Sequence, residues 1–490
     1  MIDSVEVREP LGLDAYGEVV HLADAVRALR EQAAPLLARL RGRRVWMVNS
    51  TAQGGGVAEM LPKLVSILNE LGLETQWAVI GTDQPLFFEL TKRLHNLIHG
   101  TGDPGLTDED EQLYAAVSSE NAVDLKGRMR RGDILVIHDP QPLGMGALLK
   151  QELGIPFFFR CHIGLDESTP ETRAAWNFLQ PYADPCDYAI FSASEYIPDF
   201  LAERSGLIRP ALDPLSFKNR ELSVHKVAGI LRNAGLVFSR HPVVPPPLEH
   251  PVTRLRADGR FAPLDEATDI GLLFRPVVTQ ISRWDRLKGF EPLLEGFVRL
   301  KRSLRAPARD LSPRHRRRLE QTRLVLAGPE PAAVADDPEA QEVLENLVRI
   351  YQRLDPALQD DVALLSLPMD SRKHNALIVN ALQRCSSVVV QNSLREGFGL
   401  TVTEAMWKQC AVLGSRACGI RQQIRDGVDG LLIDDCEDVQ QIAEVLDRML
   451  DDVPGRARYG RSAQLRVHEE FLVFTQARRW LEVLAEHAGD

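Results

Sequence analysis

Residues 395–406, R-E-G-F-G-L-T-V-T-E-A-M, place two carboxylates, Glu396 and Glu404, eight positions apart with Gly397 and Gly399 between them. An apolar strand pattern precedes them and a helix pattern opens near Thr401, so Glu396 belongs to the loop and Glu404 to the first turns of the helix. Between the two acids lie the free amides of a helix N-terminus, at Leu400 and Thr401, which suit a phosphate. The plainer reading makes Glu404 a dipole-complementing surface acid and Glu396 part of a cap. Two acids flanking two glycines after an apolar strand favour a site. Residues 282–289, S-R-W-D-R-L-K-G, set Arg283 and Lys288 five apart after another strand. Open α/β sheets bind ligands at such strand ends. A planar guanidinium and a compact ammonium suit a diphosphate. Residues 49–59, N-S-T-A-Q-G-G-G-V-A-E, run from a strand through three glycines into a helix, where backbone passes close to an anion. No Gly-Lys-Ser/Thr follows, and Asp83 stands too far downstream for a dinucleotide fingerprint.

The elements that must carry these loops alternate between short apolar runs and longer amphipathic stretches, the pattern of a parallel α/β sheet. Strands are expected at 44–49, 75–80, 133–138, 156–161 and 188–192, with helices at 57–71 and 172–182. A proline-rich stretch at 241–249 and a polar run to 267 interrupt the rhythm. It restarts with strands at 277–282, 323–327, 362–366, 387–391 and 411–415, and with helices near 290–304, 339–354, 373–384, 401–408 and 439–450. Two doubly wound α/β domains follow. The charged runs 107–112 and 314–318 read as a helix start and a solvated helix face.

Composition narrows the class further. The 490 residues carry a net charge of −11, which disfavours nucleic acid as a partner. Six cysteines without a C-x-x-C pair fit neither a zinc ribbon nor a disulfide scaffold, and no metal site is expected. No apolar run reaches the ~20 residues of a membrane span, and residues 1–13 lack the features of a secretion leader. A soluble, cytoplasmic protein is expected.

Together the acidic pair and the upstream Arg283 and Lys288 resemble the retaining nucleotide-sugar glycosyltransferases of GT-B fold, of the group 1 or family 4 type. Further runs narrow the resemblance: residues 49–59, H-D-P-Q-P-L at 138–143, R-C-H-I at 160–163, L-D-P-L-S-F-K-N at 212–219, and the unbroken 395–408. They are similar to the trehalose glycosyltransferring synthases, with fungal-type trehalose phosphorylases as more distant relatives. The similarity spans residue 44 to the C-terminus. Two departures stand out. The family usually has an acid after R-C-H-I, whereas here Gly164 follows and Asp166 is the nearest acid, and the segments 241–269 and 1–43 are longer than expected.

The resemblance implies two Rossmann-like domains facing across a cleft. Residues 1–43 form an N-terminal extension, 44–250 the acceptor-side domain, 251–275 a linker, 276–465 the nucleotide-sugar domain, and 466–490 helices packing back on the first domain. It further implies glucosyl transfer, with retention, from a nucleoside-diphosphate glucose (UDP- or ADP-glucose) to free glucose, giving α,α-trehalose, in both directions. Glu396, Arg283, Lys288 and His162 are the implied catalytic residues. Donor binding adds Gly55, Gly56, Gly397, Phe398, Gly399, Leu400, Thr401 and Glu404, the last on the ribose hydroxyls. Acceptor binding falls to Asp139, Gln141, Arg160, His162 and Asp166. The base would lie against the loops after Gly328 and Ser366. No cofactor is obligatory, a divalent cation such as Mg is expected to stimulate, and a homodimer is compatible. The alternatives are a trehalose phosphorylase, transfer to another small sugar or polyol, or a non-catalytic sugar-nucleotide binder.

Overall fold

The computed structural model describes residues 1–52, 56–238, 248–305, 311–330 and 338–488. Gly55 and most of the proline-rich stretch lie outside the described residues. The chain divides into two compact units, Met1–Asp213 with Phe471–Asp490, and Pro214–Glu470.

The first unit holds a seven-stranded sheet of β1 (Asp3–Val5), β2 (Val45–Asn49), β3 (Thr75–Val79), β4 (Ile134–His138), β5 (Phe157–Arg160), β6 (Tyr188–Phe191) and β7 (Ser205–Leu207). Their order is β1-β3-β2-β4-β5-β6-β7, parallel except for β1. Every residue of β2, β4 and β5 is buried, which is why these strands read as continuous apolar runs rather than as alternation. Order reverses between β2 and β4, so their carboxyl ends flank a natural crevice.

The second unit holds β8 (Thr253–Leu255), β9 (Phe261–Pro263), β10 (Val277–Ile281), β11 (Arg323–Pro329), β12 (Val362–Leu367), β13 (Val388–Gln391), β14 (Val412–Ser415) and β15 (Gly430–Ile433), in the order β15-β14-β13-β10-β11-β12-β8-β9. Side chains alternate across this sheet. Val278, Leu324, Leu326, Leu364, Val388 and Val390 share one core with helices Phe290–Ser303 and Val439–Asp451. Val277, Val325, Ala327, Ala363 and Leu365 face the other way, into a core with helices Val224–Asn233 and Arg372–Cys385.

That second core moves the boundary away from the sequence expectation. Helix Val224–Asn233 buries Val227 and Leu231 on the second sheet, and Asn380 donates through Nδ2 to the carbonyls of Phe217 and Arg220. Residues 214–238 therefore belong to the second unit, and the division falls at Asp213/Pro214 rather than near 250. The stretch 251–275 is not a bare linker. Its β8 pairs antiparallel with β12 and β9 antiparallel with β8, extending the sheet, anchored by buried Arg254, whose guanidinium donates to four backbone carbonyls. Residues 1–43 are integral to the first unit: β1 pairs with β3, and helix Val20–Arg39 packs against helix Val473–His487. Of the charged runs, Thr107 and Asp110 form a reciprocal capping box. In helix Pro313–Gln321, Arg314 and Arg317 are exposed while buried His315 and Arg318 turn toward the end of helix Val439–Asp451.

Among the groups that tie the end of the second sheet together, Asp429 is fully buried. It accepts from Arg425 Nε at 2.7 Å and Ser462 Oγ at 2.7 Å, with Arg466 Nη1 at 3.5 Å. Burial opposes its charge, but the bonds from Arg425 and Ser462 overcome it and hold the carboxyl below the usual range. A depressed carboxyl stabilises the fold above its unfolded pKa, about 3.9, and loses that contribution as pH falls through the folded value. Asp429→Asn, which leaves Arg466 short of its counter-charge, is expected to cost about 3–5 kcal/mol at pH 7. In denaturant melts the gap to wild type should shrink steadily toward pH 3; a gap independent of pH would refute the assignment.

Candidate active site

In the second unit the switch of strand order lies between β10 and β13, and the loops leaving these two strands are joined. Leu394 N–H donates to Leu287 O at 2.8 Å. Buried Gln280 bridges both loops, donating to Lys288 O at 2.7 Å and accepting from Asn392 N–H at 3.0 Å. Asn392 in turn donates to Gly289 O at 3.1 Å. Gly289 closes the turn at φ +59°, and a Cβ there would stand 2.1 Å from Asn392 O. Only glycine lets the two loops approach this closely.

This joint brings Lys288 Nζ to 2.8 Å from Glu396 Oε2, with the two side chains 14% and 13% exposed. Ser393 Oγ donates to the same oxygen at 3.0 Å, and Gln391 lies behind it. Arg283 does not join the pair. Its side chain is 77% exposed and lies 3.5 Å from Asp285. Gly397 and Phe398 lead into Gly399, the N-cap of helix Leu400–Trp407 at φ +83°. The turn is held from beneath by Gln423, fully buried, whose amide donates to the carbonyls of Phe398, Gly399 and Gly419 and accepts from Thr403. The amides of Leu400 and Thr401 open the helix, the arrangement that favours a phosphate.

Glu404, one turn on, is buried with Lys218 Nζ 3.5 Å from its Oε1. Lys408 donates to Glu404 O at 3.0 Å and to Asn219 Oδ1 at 3.2 Å. Burial pulls its pKa down to about 8, against the pull of Glu404. The run 212–219 thus delivers Lys218 and Asn219 to the helix carrying Glu404.

The first unit has its own polar cluster at the ends of β4 and β5. Asp139 takes φ +63°, a left-handed conformation unusual outside glycine, and its Oδ1 accepts His162 N–H at 2.7 Å. Burial raises its carboxyl to about 6, while the bond from His162 and the charge of Arg160 work the other way. Arg160 is buried and donates to Ser192 Oγ at 3.1 Å, and burial lowers it to about 10. His138 Nδ1 and His162 Nε2 are 3.0 Å apart. Burial, then the neighbouring guanidinium of Arg160, holds His138 down to about 3 and His162 well below the ordinary imidazole range. Four buried polar atoms of this cluster, His138 Nε2, Gln141 Oε1, Arg160 Nη1 and His162 Nδ1, have no hydrogen-bond partner among the described residues. Donors and acceptors left open in this way suit a hydroxyl-rich ligand. Gly164 packs on Tyr196, whose Cγ would be 2.2 Å from a Cβ, so no acid fits there, and Asp166 is exposed. Gly56 opens helix Gly56–Leu71.

His138, Lys218, Ser393 and Gln423 were not singled out from sequence. His138 and Lys218 stand inside the quoted runs 138–143 and 212–219; nothing local marks Ser393 or Gln423, whose partners are fixed by folding.

Residues 47–198 match the family description "Trehalose synthase, N-terminal domain", and residues 273–466 match "Glycosyl transferases group 1". Among solved structures, a UDP-forming α,α-trehalose-phosphate synthase from Burkholderia xenovorans, in complex with glucose-6-phosphate, superposes with TM-score 0.62 at 16% identity, covering 91% of this chain and all of that one. Anabaena HepE, in complex with UDP and glucose, gives TM-score 0.57 at 16% identity, covering 91% of this chain and 100% of that one. The chain is a group 1 glycosyltransferase of GT-B fold. The trehalose synthase of Thermococcus litoralis is 31% identical over 474 residues, 96% of each chain, and that of Rubrobacter xylanophilus is 33% identical over 94% and 95%. The chain belongs to the trehalose synthase family and is a trehalose-related glycosyltransferase. The trehalose phosphorylase of Pleurotus sajor-caju is 26% identical over 88% of this chain but only 57% of its own length. No helix among the described residues is long and apolar enough to cross a membrane.

Gly289→Ala is expected to separate the two joined loops. Hydrogen exchange should quicken at 282–289 and 392–399 while β2 and β4 stay unchanged; unaltered exchange in both loops would refute the steric argument.

Proposed function

We propose that this enzyme moves glucose, with retention, from a nucleoside-diphosphate glucose to the anomeric hydroxyl of free glucose, forming α,α-trehalose, and that it runs in either direction. The observation that carries this reading is the Lys288–Glu396 pair at 2.8 Å beside the open amides of Leu400 and Thr401. It sets a cation and phosphate-binding amides next to a carboxylate able to accept from sugar hydroxyls. The family relationship supplies the trehalose chemistry.

In the proposed step the bond from the glucose anomeric carbon to the diphosphate oxygen breaks, leaving an oxocarbenium-like centre. The acceptor oxygen bonds to the same face, and its proton passes to the departing diphosphate. The protein's task is to hold the growing diphosphate charge more tightly than the ground state. Lys288 and the amides of Leu400 and Thr401 do this, with exposed Arg283 as a second cation. Glu396 orients the sugar, and Glu404 accepts from the ribose hydroxyls. His162 contacts the transferred sugar, while Asp139, Gln141 and Arg160 bind the acceptor. With Lys288 and the helix amides carrying the diphosphate charge, a metal is not obligatory; a free divalent ion such as Mg would add screening of that charge.

Lys288→Ala is expected to lower kcat/KM by about 2–4 kcal/mol of transition-state stabilisation, well beyond Arg283→Lys. Glu404→Gln should chiefly raise the donor KM and Glu396→Gln chiefly lower kcat. Unchanged kcat/KM in Lys288→Ala would remove the diphosphate assignment.

A matrix of UDP-, ADP- and GDP-glucose against free sugars and polyols, scored for trehalose with and without EDTA, tests the reaction. One arm supplies trehalose and inorganic phosphate. Trehalose from a nucleotide donor, reduced less than about tenfold by EDTA, is the expected outcome. Glucose 1-phosphate formed only in the phosphate arm would identify a phosphorylase instead.

A further inference from the structure

Asp139 bears two backbone constraints at once. Its φ of +63° lies in the left-handed region, and it precedes Pro140, whose ring pushes the residue before it toward extended backbone. Such a conformation persists only where its surroundings hold it. On one side the hold comes from β5 and the residues after it: Asp139 N–H donates to Arg160 O at 2.8 Å, and Asp139 Oδ1 accepts His162 N–H at 2.7 Å. On the other side it comes from outside the cluster, from Tyr114 on helix Asp108–Lys126.

The Tyr114 hydroxyl donates to Pro140 O at 2.5 Å and accepts Gly144 N–H at 3.1 Å. These two bonds bracket Gln141 and span the turn that leads into helix Leu143–Leu153. Close packing sets their reach. A Cβ on Gly144 would stand 2.8 Å from Tyr114 Cε1 and 2.4 Å from Ser118 Oγ, so the turn lies directly on the tyrosine's helix. The Tyr114 ring is fully buried among Phe87, Phe178 and Tyr182, with centroids 6.0, 5.5 and 4.9 Å away. A phenylalanine would fill that aromatic pocket equally well. The hydroxyl is tolerated there because the turn satisfies it. Burial pushes the phenol's pKa upward, which keeps its proton in place to donate.

We propose that Tyr114 is a positioning residue for the polar cluster of the first unit: its hydroxyl anchors Pro140, and so holds Asp139 left-handed on His162 with Gln141 fixed in the same turn. Fully buried, Tyr114 acts through the turn and not on a ligand. That the cluster binds the acceptor sugar rests on the proposed function; the hold on Asp139 does not.

The test uses the full chain as wild type, Tyr114→Phe, Pro140→Ala and the double variant. Phenylalanine keeps the ring and removes the hydroxyl. Alanine at 140 keeps the carbonyl and removes the ring that drives Asp139 toward extended backbone. In ligand-free protein, hydrogen exchange of Tyr114→Phe should quicken in the segments 138–146 and 160–163 and stay unchanged at 282–289 and 392–399. Its KM for glucose should rise on the order of five- to tenfold, the worth of one neutral hydrogen bond, with the KM for the nucleoside-diphosphate glucose unmoved. Pro140→Ala alone should behave as wild type. In the double variant, exchange at 160–163 and the glucose KM should both return most of the way, a rescue that a tyrosine serving packing alone would not show. Unaltered exchange at 160–163 in Tyr114→Phe would overturn the proposal, as would an unchanged glucose KM or a double variant without recovery. If exchange behaves as expected but wild type forms no glycoside from any nucleotide sugar, the proposed function fails and the hold of Tyr114 on Asp139 stands.

Discussion

Lys288 and Glu396 sit 2.8 Å apart, each mostly withdrawn from water, and each is the other's counter-charge. Removing either leaves a half-buried charge without its counter-charge. The two residues are 108 positions apart, so the pair exists only where the loops leaving β10 and β13 are neighbours. Every nearby feature serves that proximity. Gln280 and Asn392 stitch the loops, Gly289 removes the side chain that would wedge them open, and Gln423 secures the turn that launches helix Leu400–Trp407. The sheet's two cores hold β10 and β13 in register beneath them.

The two units solve the same placement problem with different chemistry. Both put polar groups at the carboxyl ends of parallel strands, between β10 and β13 in the second unit and at β4 and β5 in the first, where α/β sheets leave loops free to bind. The second unit uses charge: a cation, two carboxylates and a helix N-terminus, which suit an anionic ligand. The first sets one buried guanidinium, Arg160, and one carboxylate, Asp139, among neutral side chains. Two uncharged imidazoles, an amide and that guanidinium have four polar atoms without a hydrogen-bond partner among the described residues. Unsatisfied buried polar atoms destabilise a fold by about 1–3 kcal/mol each. They are concentrated beside Asp139, which also bears a left-handed backbone.

Membership of the trehalose synthase family and the geometry support one another at different levels. The relatives speak to the chemistry of the product. The geometry separates Lys288, built into the joint, from Arg283, which reaches into solvent.

The amino-acid sequence by itself determined the alternation of strands and helices and the chemistry of the loops. Parallel strands covered on both faces must be unbroken apolar runs, and β2, β4, β10 and β11 fall within a residue or two of the runs that announce them. Glycines and acids at 395–406 are equally local, because a loop entering a helix sets its requirements within a dozen residues. Tertiary structure alone decided partnership. That His138 faces His162 and that the loop after β10 meets the loop after β13 follow from strand order; that Lys288 rather than Arg283 meets Glu396 follows from how the first of those loops turns. It also decided that residues 214–238 and 253–263 join the second sheet, where an exposed sheet face and an open edge strand were there to be covered. Strand order is a property of the whole packed sheet. Each strand's own residues are satisfied by any apolar neighbour of the right length, so no local run specifies it.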